Sequence, residues 1–172
     1  MGRDEAVELT DAFLREPKTL SGSPPEFGPW KKLPGGPMRT ANWPLADASG
    51  IVRSGRISVN YSPSSQKSFT IATIFREECV CRIDFVDQAT CHSNPLWAQL
   101  YGLPPSVCGP HFHPWGENRR HILEQDVWSL PCRIPLQPQI RRFEQAFAWL
   151  ADQINLALTD EQRLFSPPQE LV

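Results

Sequence analysis

Hydrophobic and polar residues alternate along the middle of the chain, and this period of two predicts β-strands. Short groups of Gly, Pro, Ser or acidic residues separate the alternating runs and indicate turns. Five runs are predicted as strands: 39–47, 51–61, 69–75, 79–86 and 109–115. Because the first four follow one another closely, we expect them to form an antiparallel meander.

Apolar residues recur every three or four positions in two other segments, which is typical of amphipathic helices. The first segment covers residues 3–15. The second, 139–158, predicts a helix of about 20 residues that covers one face of the sheet. A shorter helix is expected within 118–128.

These elements predict an α+β fold, in which a twisted antiparallel sheet of about five strands carries a long C-terminal helix on one face. The 172-residue chain contains 18 prolines, which favours Pro-rich loops over a helical bundle. We expect a single domain over 1–172, divided into an N-terminal helix at 3–15, a Pro-rich loop at 16–38, the sheet at 39–116 and the C-terminal helix at 139–158. The loop is expected to be ordered because Phe27 and Trp30 need burial, and a mobile flap is the alternative.

The charge balance excludes a broadly basic surface. Lys and Arg total 17 and Asp and Glu total 19, so a nucleic-acid partner would have to use a local basic patch. No apolar run reaches the roughly 18–20 residues that span a bilayer, and the N-terminus lacks the apolar centre of a signal peptide. We therefore expect a cytoplasmic location, no membrane partner, and reduced thiols at the five cysteines.

All four histidines lie between positions 92 and 121. His111 and His113 are two residues apart on a predicted strand, so they share one face while Phe112 points to the other. Two imidazoles about 6–7 Å apart on one face can share a metal ion or a scissile phosphate. The alternative interpretation is a pair of exposed polar residues on a half-buried strand.

The strand predicted at 79–86 places Arg82 and Asp84 together on one face. This pair can form an ion pair, orient a histidine or bind a phosphate. An ordinary solvated strand face explains the same pattern.

Three further residues are candidates for substrate binding. His92 precedes an Asn-Pro turn signal that would display it on a loop. Arg119 and Arg120 follow the histidine pair and supply local positive charge suited to phosphate. Ordinary surface charges are the alternative for both arginines.

Two kinds of metal site, structural and catalytic, are alternatives for these residues. A structural zinc site is disfavoured because the cysteines form no CxxC knuckle. A catalytic metal held by His111, His113 and a carboxylate such as Asp84 remains open. The chain has no P-loop, dinucleotide-binding loop or nucleophile elbow. We expect no metal or other cofactor.

A longer motif is similar to one found in small bacterial proteins of unknown function. It also resembles, more loosely, the TumE-like toxins of toxin–antitoxin loci, which have a strand with Arg and Asp followed by a histidine pair. The motif, within about 76–121, reads Arg82-x-Asp84, His92-x-Asn94-Pro95 and Gly109-x-His111-x-His113. The resemblance implies a small α+β protein of prokaryotic or phage origin with ribonuclease-like toxin activity, and it matches Arg82, Asp84, His111 and His113.

The preferred functional hypothesis is a toxin-like or phage-defence-associated, metal-independent ribonuclease. His111 and His113 would act as acid and base, Arg82 or Arg119 would stabilise the phosphorane charge, and Asp84 would fix an imidazole tautomer. RNA would be the substrate, and an antitoxin or another protein would be the partner.

Two alternatives belong to other classes. One is a non-enzymatic inhibitor or partner of a bacterial defence complex, which would expose Trp30 and Trp43 on one adhesive patch. The other is a metal-dependent hydrolase, which a chelator would inactivate.

Overall fold

The computed structural model describes residues 2–21, 30–35, 37–63, 65–125 and 127–168. The strands within these residues are β1 (Lys18–Leu20), β2 (Lys31–Lys32), β3 (Arg39–Asp47), β4 (Val52–Ser62), β5 (Ser65–Phe75), β6 (Glu78–Phe85), β7 (Cys91–Ser93), β8 (Ser106–Cys108), β9 (His111–His113), β10 (Ile134–Pro135) and β11 (Leu156–Ala157). The helices there are α1 (Arg3–Arg15), α2 (Leu96–Gln99), α3 (Trp115–Gln125), α4 (Phe143–Gln153) and α5 (Asp160–Arg163).

Nine strands form one sheet in the order β10-β9-β6-β5-β4-β3-β1-β11, with β2 pairing beside β3. The predicted meander is confirmed, because β3, β4, β5 and β6 pair consecutively and antiparallel. The estimate of about five strands is wrong. The additional sheet strands have two or three residues each, which is too short to show an alternating pattern.

The long C-terminal helix predicted at 139–158 is also wrong. Helix α4 has 11 residues and ends before Ile154, and Asn155 then adopts a positive φ of 54° that turns the chain. The next residues form β11, which pairs in parallel with β1. Ile140 and Ile154 are both buried although they lie outside the helix, so the apolar period continues past its ends.

The other predicted helices have different outcomes. The N-terminal helix at residues 3–15 is confirmed as α1. The helix expected within 118–128 begins earlier, at Trp115, and ends at Gln125. The Pro-rich segment 16–38 contains β1 and β2, and Phe27 lies outside the described residues.

One face of the sheet carries the core, and α4 packs against it. The ring of Phe147 lies 5.3 Å from that of Trp43 on β3, and Trp149 lies 4.9 Å from Phe112 on β9. The opposite face of β6 is more polar because Arg82 and Asp84 alternate with buried apolar residues. None of the described helices has the length and apolar character needed to cross a bilayer.

A disulfide joins Cys91 and Cys108, which corrects the expectation that all five cysteines are reduced. Strands β7 and β8 form a separate two-stranded ribbon, and their register places these two residues directly opposite each other. Cys79, Cys81 and Cys132 have free thiols. The ribbon strands are three residues long, which is too short for an alternating pattern that would predict this pairing.

Candidate functional site

Strands β6 and β9 bring together the four residues predicted to be catalytic. In their antiparallel register, Arg82 lies opposite His113 and Asp84 lies opposite His111. Directly opposed residues point to the same face of a sheet, so the four side chains form one cluster. The intervening pair of Ile83 and Phe112 points to the core face.

The carboxylate of Asp84 has separate partners on its two oxygens. Thr70, the residue opposite it on β5, donates its hydroxyl hydrogen to Oδ1 at 3.0 Å. Arg82 donates to Oδ2 through Nε at 2.9 Å, and its terminal nitrogen lies 2.8 Å from the same oxygen. Thr70 therefore orients the carboxylate and directs Oδ2 towards the cation beside it.

Backbone carbonyls fix both imidazole rings. The Nδ1 atom of His111 lies 2.8 Å from the oxygen of Gly109, and that of His113 lies 2.6 Å from the oxygen of Leu130. A carbonyl oxygen only accepts hydrogen bonds, so each Nδ1 carries the hydrogen. In the neutral rings, each Nε2 atom then presents a lone pair.

The two Nε2 atoms converge on a single oxygen. Oδ2 of Asp84 lies 3.2 Å from Nε2 of His113 and 3.6 Å from Nε2 of His111. Together the three residues offer ligand atoms within 4.8 Å of one another. Two lone pairs facing an anionic oxygen require a cation among them. Arg82 provides part of this charge, with a terminal nitrogen 3.2 Å from Nε2 of His113.

Burial and charge assign protonation states to the cluster. Burial acts to raise the pKa of Asp84, but the hydrogen bonds that His111 and His113 would donate from Nε2 when protonated, together with the charge of Arg82, lower it well below its usual range. Burial is the main cause of a lowered pKa at His113, although the bond that its protonated ring would donate to Asp84 acts in the opposite direction. An ionised carboxylate therefore faces a neutral imidazole, which is the ionisation state that metal ligands require.

Two buried asparagines hold the connector between α3 and β10, which contains Leu130 and so contacts His113. Asn118 on α3 donates to the oxygens of Pro114 and Cys132 at 2.7 and 3.0 Å, and it accepts from the backbone N–H of Cys132 at 2.7 Å. Asn94 donates to the oxygen of Arg133 at 2.9 Å and accepts from its N–H at 2.8 Å. Sequence reasoning treated Asn94 only as a turn residue and missed Asn118, because their partners are distant backbone groups.

Gly109 positions the carbonyl that holds His111. Its φ is +76°, a conformation that side chains disfavour, and a Cβ there would lie 2.5 Å from Oε1 of Gln88. Glycine is therefore favoured two residues before His111, because this backbone conformation places the carbonyl that binds the His111 ring. Sequence reasoning gave Gly109 no role of its own.

The three predicted substrate-binding residues lie in different places. His92 is exposed on β7 with its ring centre 5.2 Å from that of His111, so it borders the cluster. Desolvation and the positive charge of Arg133 lower the pKa of His92. The arginines on α3 contact other groups: Arg119 pairs with Asp11 at 2.9 Å, and Arg120 pairs with Glu124 at 2.5 Å.

A cavity of about 240 Å³ lies beside the cluster. Its lining residues are Glu78, Cys79, Arg82, Trp128, Ser129 and Leu130. Arg82 and Leu130 both belong to the cavity wall and contact the cluster, the first through its guanidinium and the second through the carbonyl bonded to His113.

The aromatic patch expected for a protein-binding role does not form at the two tryptophans named for it. Trp43 is fully buried, and Trp30 packs on it with ring centres 6.0 Å apart. Trp30 also contacts Tyr61, with ring centres 4.8 Å apart. Both tryptophans therefore contribute to the core cluster rather than to an open surface.

In comparisons with known proteins, the chain matches no family model, no curated protein and no solved structure. The resemblance to small bacterial proteins and TumE-like toxins therefore stays a prediction.

Proposed function

We propose that Asp84, His111 and His113 bind one divalent metal ion and that the protein is a metal-dependent hydrolase. The convergence of both Nε2 atoms on Oδ2 of Asp84 carries this proposal, because each ring is already held at Nδ1 by a carbonyl. A second ring nitrogen bonded to a backbone carbonyl is the usual arrangement around a metal-ligating histidine.

The donor set fits a catalytic site better than a structural one. Two imidazole nitrogens and one carboxylate oxygen suit Zn²⁺ and related divalent ions. Catalytic zinc sites commonly use three protein ligands and leave a position for water or substrate, whereas structural sites use four. A bound metal would supply Lewis acidity and activate water for hydrolysis.

Arg82 has a second role in this proposal. Its guanidinium contacts the same carboxylate oxygen and the same His113 nitrogen that would bind the metal. The metal must share Asp84 with Arg82 or displace it, and the two positive charges repel each other. Arg82 therefore lowers metal affinity while supplying a cation next to the reaction centre.

The geometry supports the metal-independent ribonuclease less well. A separate acid and base must reach different atoms of the substrate, yet His111 and His113 are each about 1 % exposed and direct their free nitrogens to one point. A role in toxin activity or phage defence, an RNA substrate and an antitoxin partner all stay predictions.

A metal titration tests the proposal. The purified protein is stripped with a chelator, dialysed without thiol reductant, and titrated with Zn²⁺ or Co²⁺ by calorimetry and elemental analysis. We expect one ion per chain in the wild type. Asp84→Asn and His111→Ala should each weaken binding by about 100-fold or more, because each removes one of three ligands.

Matched variants provide the controls. Asp11→Asn and His121→Ala change the same residue types outside the cluster and should leave the affinity unchanged. Arg82→Gln should bind metal at least as tightly as the wild type, because a repelling charge is removed. Stoichiometric binding that persists in the Asp84→Asn/His111→Ala variant would place the metal elsewhere and refute the proposal.

A further inference from the structure

The cavity beside the cluster combines a cation with a fixed aromatic wall. Arg82 is the one cationic side chain among its described lining residues, and its side chain is 38 % exposed. The indole of Trp128 donates from Nε1 to the oxygen of Cys79 at 3.0 Å and packs against Trp115 with ring centres 5.7 Å apart. These contacts hold the Trp128 ring in place.

Two polar side chains complete the wall. The hydroxyl of Ser129 lies 3.1 Å from Nε2 of His121, whose ring is stacked on Trp97 at 5.6 Å. This contact fixes the Ser129 side chain in the cavity wall. Glu78, an exposed residue, is the acidic member of the lining. Its charge opposes the binding of any anion and opposes most strongly a ligand that carries several negative groups along a chain.

We infer that this cavity binds a small organic anion, in which one phosphate or carboxylate group on a planar ring contacts Arg82 while the ring packs on Trp128. Guanidinium groups bind both kinds of oxyanion in a bidentate manner, and the volume of about 240 Å³ accommodates a small molecule. The anion would replace Asp84 as one partner of Arg82.

The position of the cavity makes this ligand the substrate class of the proposed hydrolase, and that part of the inference rests on the proposed function. Arg82 reaches Oδ2 of Asp84 at 2.8 Å, and Leu130 holds His113 at 2.6 Å, so the cavity and the cluster share a wall. An anion on Arg82 would place its ester or neighbouring bond next to the metal ligands.

Binding can be measured without activity. Phenyl phosphate is titrated into metal-free, ¹⁵N-labelled protein while the indole N–H signals of its six tryptophans are followed by NMR. The Trp128 signal is identified by its loss in Trp128→Phe. We expect a saturable shift of this signal with phenyl phosphate. Benzoate tests the carboxylate form, inorganic phosphate tests the charge alone, and benzyl alcohol tests the ring alone.

Substitutions distinguish specific binding in the cavity from weak association with the protein surface. Arg82→Gln should raise the Kd for phenyl phosphate by about tenfold or more, which corresponds to the loss of one charge-assisted contact. Arg82→Lys keeps the charge and should have a smaller effect. Arg120→Gln removes an arginine whose partner is Glu124, outside the lining, and should leave the Kd unchanged.

The outcomes distinguish this inference from the metal proposal. Arg82→Gln should weaken the anion but not the metal, whereas His111→Ala should weaken the metal but not the anion in metal-free protein. No saturable Trp128 shift up to millimolar concentrations of any aromatic anion would overturn the cavity inference and leave the metal titration unaffected. Equal binding of benzyl alcohol and phenyl phosphate would overturn the role of Arg82.

Discussion

Asp84 and His111 face each other directly across β6 and β9, with Oδ2 of the carboxylate 3.6 Å from Nε2 of the ring. Because the carbonyl of Gly109 binds Nδ1 of His111, the neutral ring can offer Asp84 only a lone pair. This pair is therefore stable when a proton or a metal ion lies between the two atoms. The metal ion proposed for this cluster would supply that positive charge to both rings at once.

Chelation separates the two catalytic hypotheses. Purified protein is incubated with total RNA and with simple phosphate esters, with and without EDTA. We expect any hydrolysis to stop with EDTA and to return with Zn²⁺, because the metal supplies the activated water. The His111→Ala/His113→Ala variant should remain at background in every condition. Cleavage of RNA that survives EDTA but disappears in this variant would instead establish the metal-independent ribonuclease.

Removal of the buried amide of Asn118 should affect both stability and metal binding. Asn118→Ala leaves two carbonyls and the N–H of Cys132 without their partner, so we expect the free energy of unfolding to fall by about 3 kcal/mol. Metal affinity should fall by about tenfold because the segment that contains Leu130 is no longer fixed against His113. Chemical denaturation and the metal titration measure the two effects.

Asn42 provides the matched control for this substitution. It is exposed on β3, so Asn42→Ala should change the unfolding free energy by no more than about 0.5 kcal/mol and leave metal affinity unaltered. If Asn118→Ala lowered stability but bound metal like the wild type, the connector would not position His113, and Asn118 would have a structural role only.

Local periodicity predicted which site residues share a face, but not which strands are neighbours. Alternation within one strand is a local property, so Arg82 and Asp84 could be assigned to one face, and likewise His111 and His113. The pairing of β6 with β9 brings together residues about 30 positions apart, and no single-sequence pattern encodes that distance. Thr70 was missed for the same reason, because its link to Asp84 depends on the register of β5.

The other errors have equally specific causes. The period of three to four residues over 139–158 includes buried residues that lie before and after α4 along the chain. Ile154, for example, remains in the core after the helix ends. The pairing of Cys91 with Cys108 depends on a ribbon of three-residue strands. Periodicity reports which side chains are buried, and helix bounds also depend on backbone turns such as that at Asn155.

The disulfide predicts a thiol count and a stability difference. Reaction of the denatured, unreduced protein with a thiol reagent should detect three thiols, from Cys79, Cys81 and Cys132. The bridge spans 17 positions, so reduction should lower the unfolding free energy by about 3 kcal/mol. The main cause is the conformational entropy that the unfolded chain gains when the bridge no longer constrains it. Detection of five thiols would contradict the bridge and agree with the reduced state expected for a cytoplasmic protein.

A variant isolates the contribution of the bridge. The Cys91→Ser/Cys108→Ser protein should have the stability of the reduced wild type and should not respond to reductant. A further loss of stability on adding reductant to this variant would show that the reductant acts elsewhere.

The buried ammonium of Lys18 should make stability increase as the pH rises above about 8. Lys18 contacts the carbonyl oxygens of Phe13, Leu14 and Glu16 at the end of α1, and burial lowers its pKa to about 8 from 10.5. Between these values the unfolded chain binds more protons than the folded one, so the free energy of unfolding rises with pH. The slope contributed by one group is at most about 1.4 kcal/mol per pH unit.

The free thiols oppose this increase at higher pH. Burial raises the pKa of Cys79 and of Cys132 to about 11 and that of Cys81 to about 12, from 9.0, so the unfolded chain releases protons first and the thiols lower stability as the pH approaches and passes about 9. Denaturation from pH 7.5 to 10.5 should therefore show the free energy of unfolding of the wild type rising relative to that of Lys18→Met as the pH increases from about 8 to about 10. Parallel pH profiles for the two proteins would show that Lys18 titrates normally, because the thiol contribution is common to both.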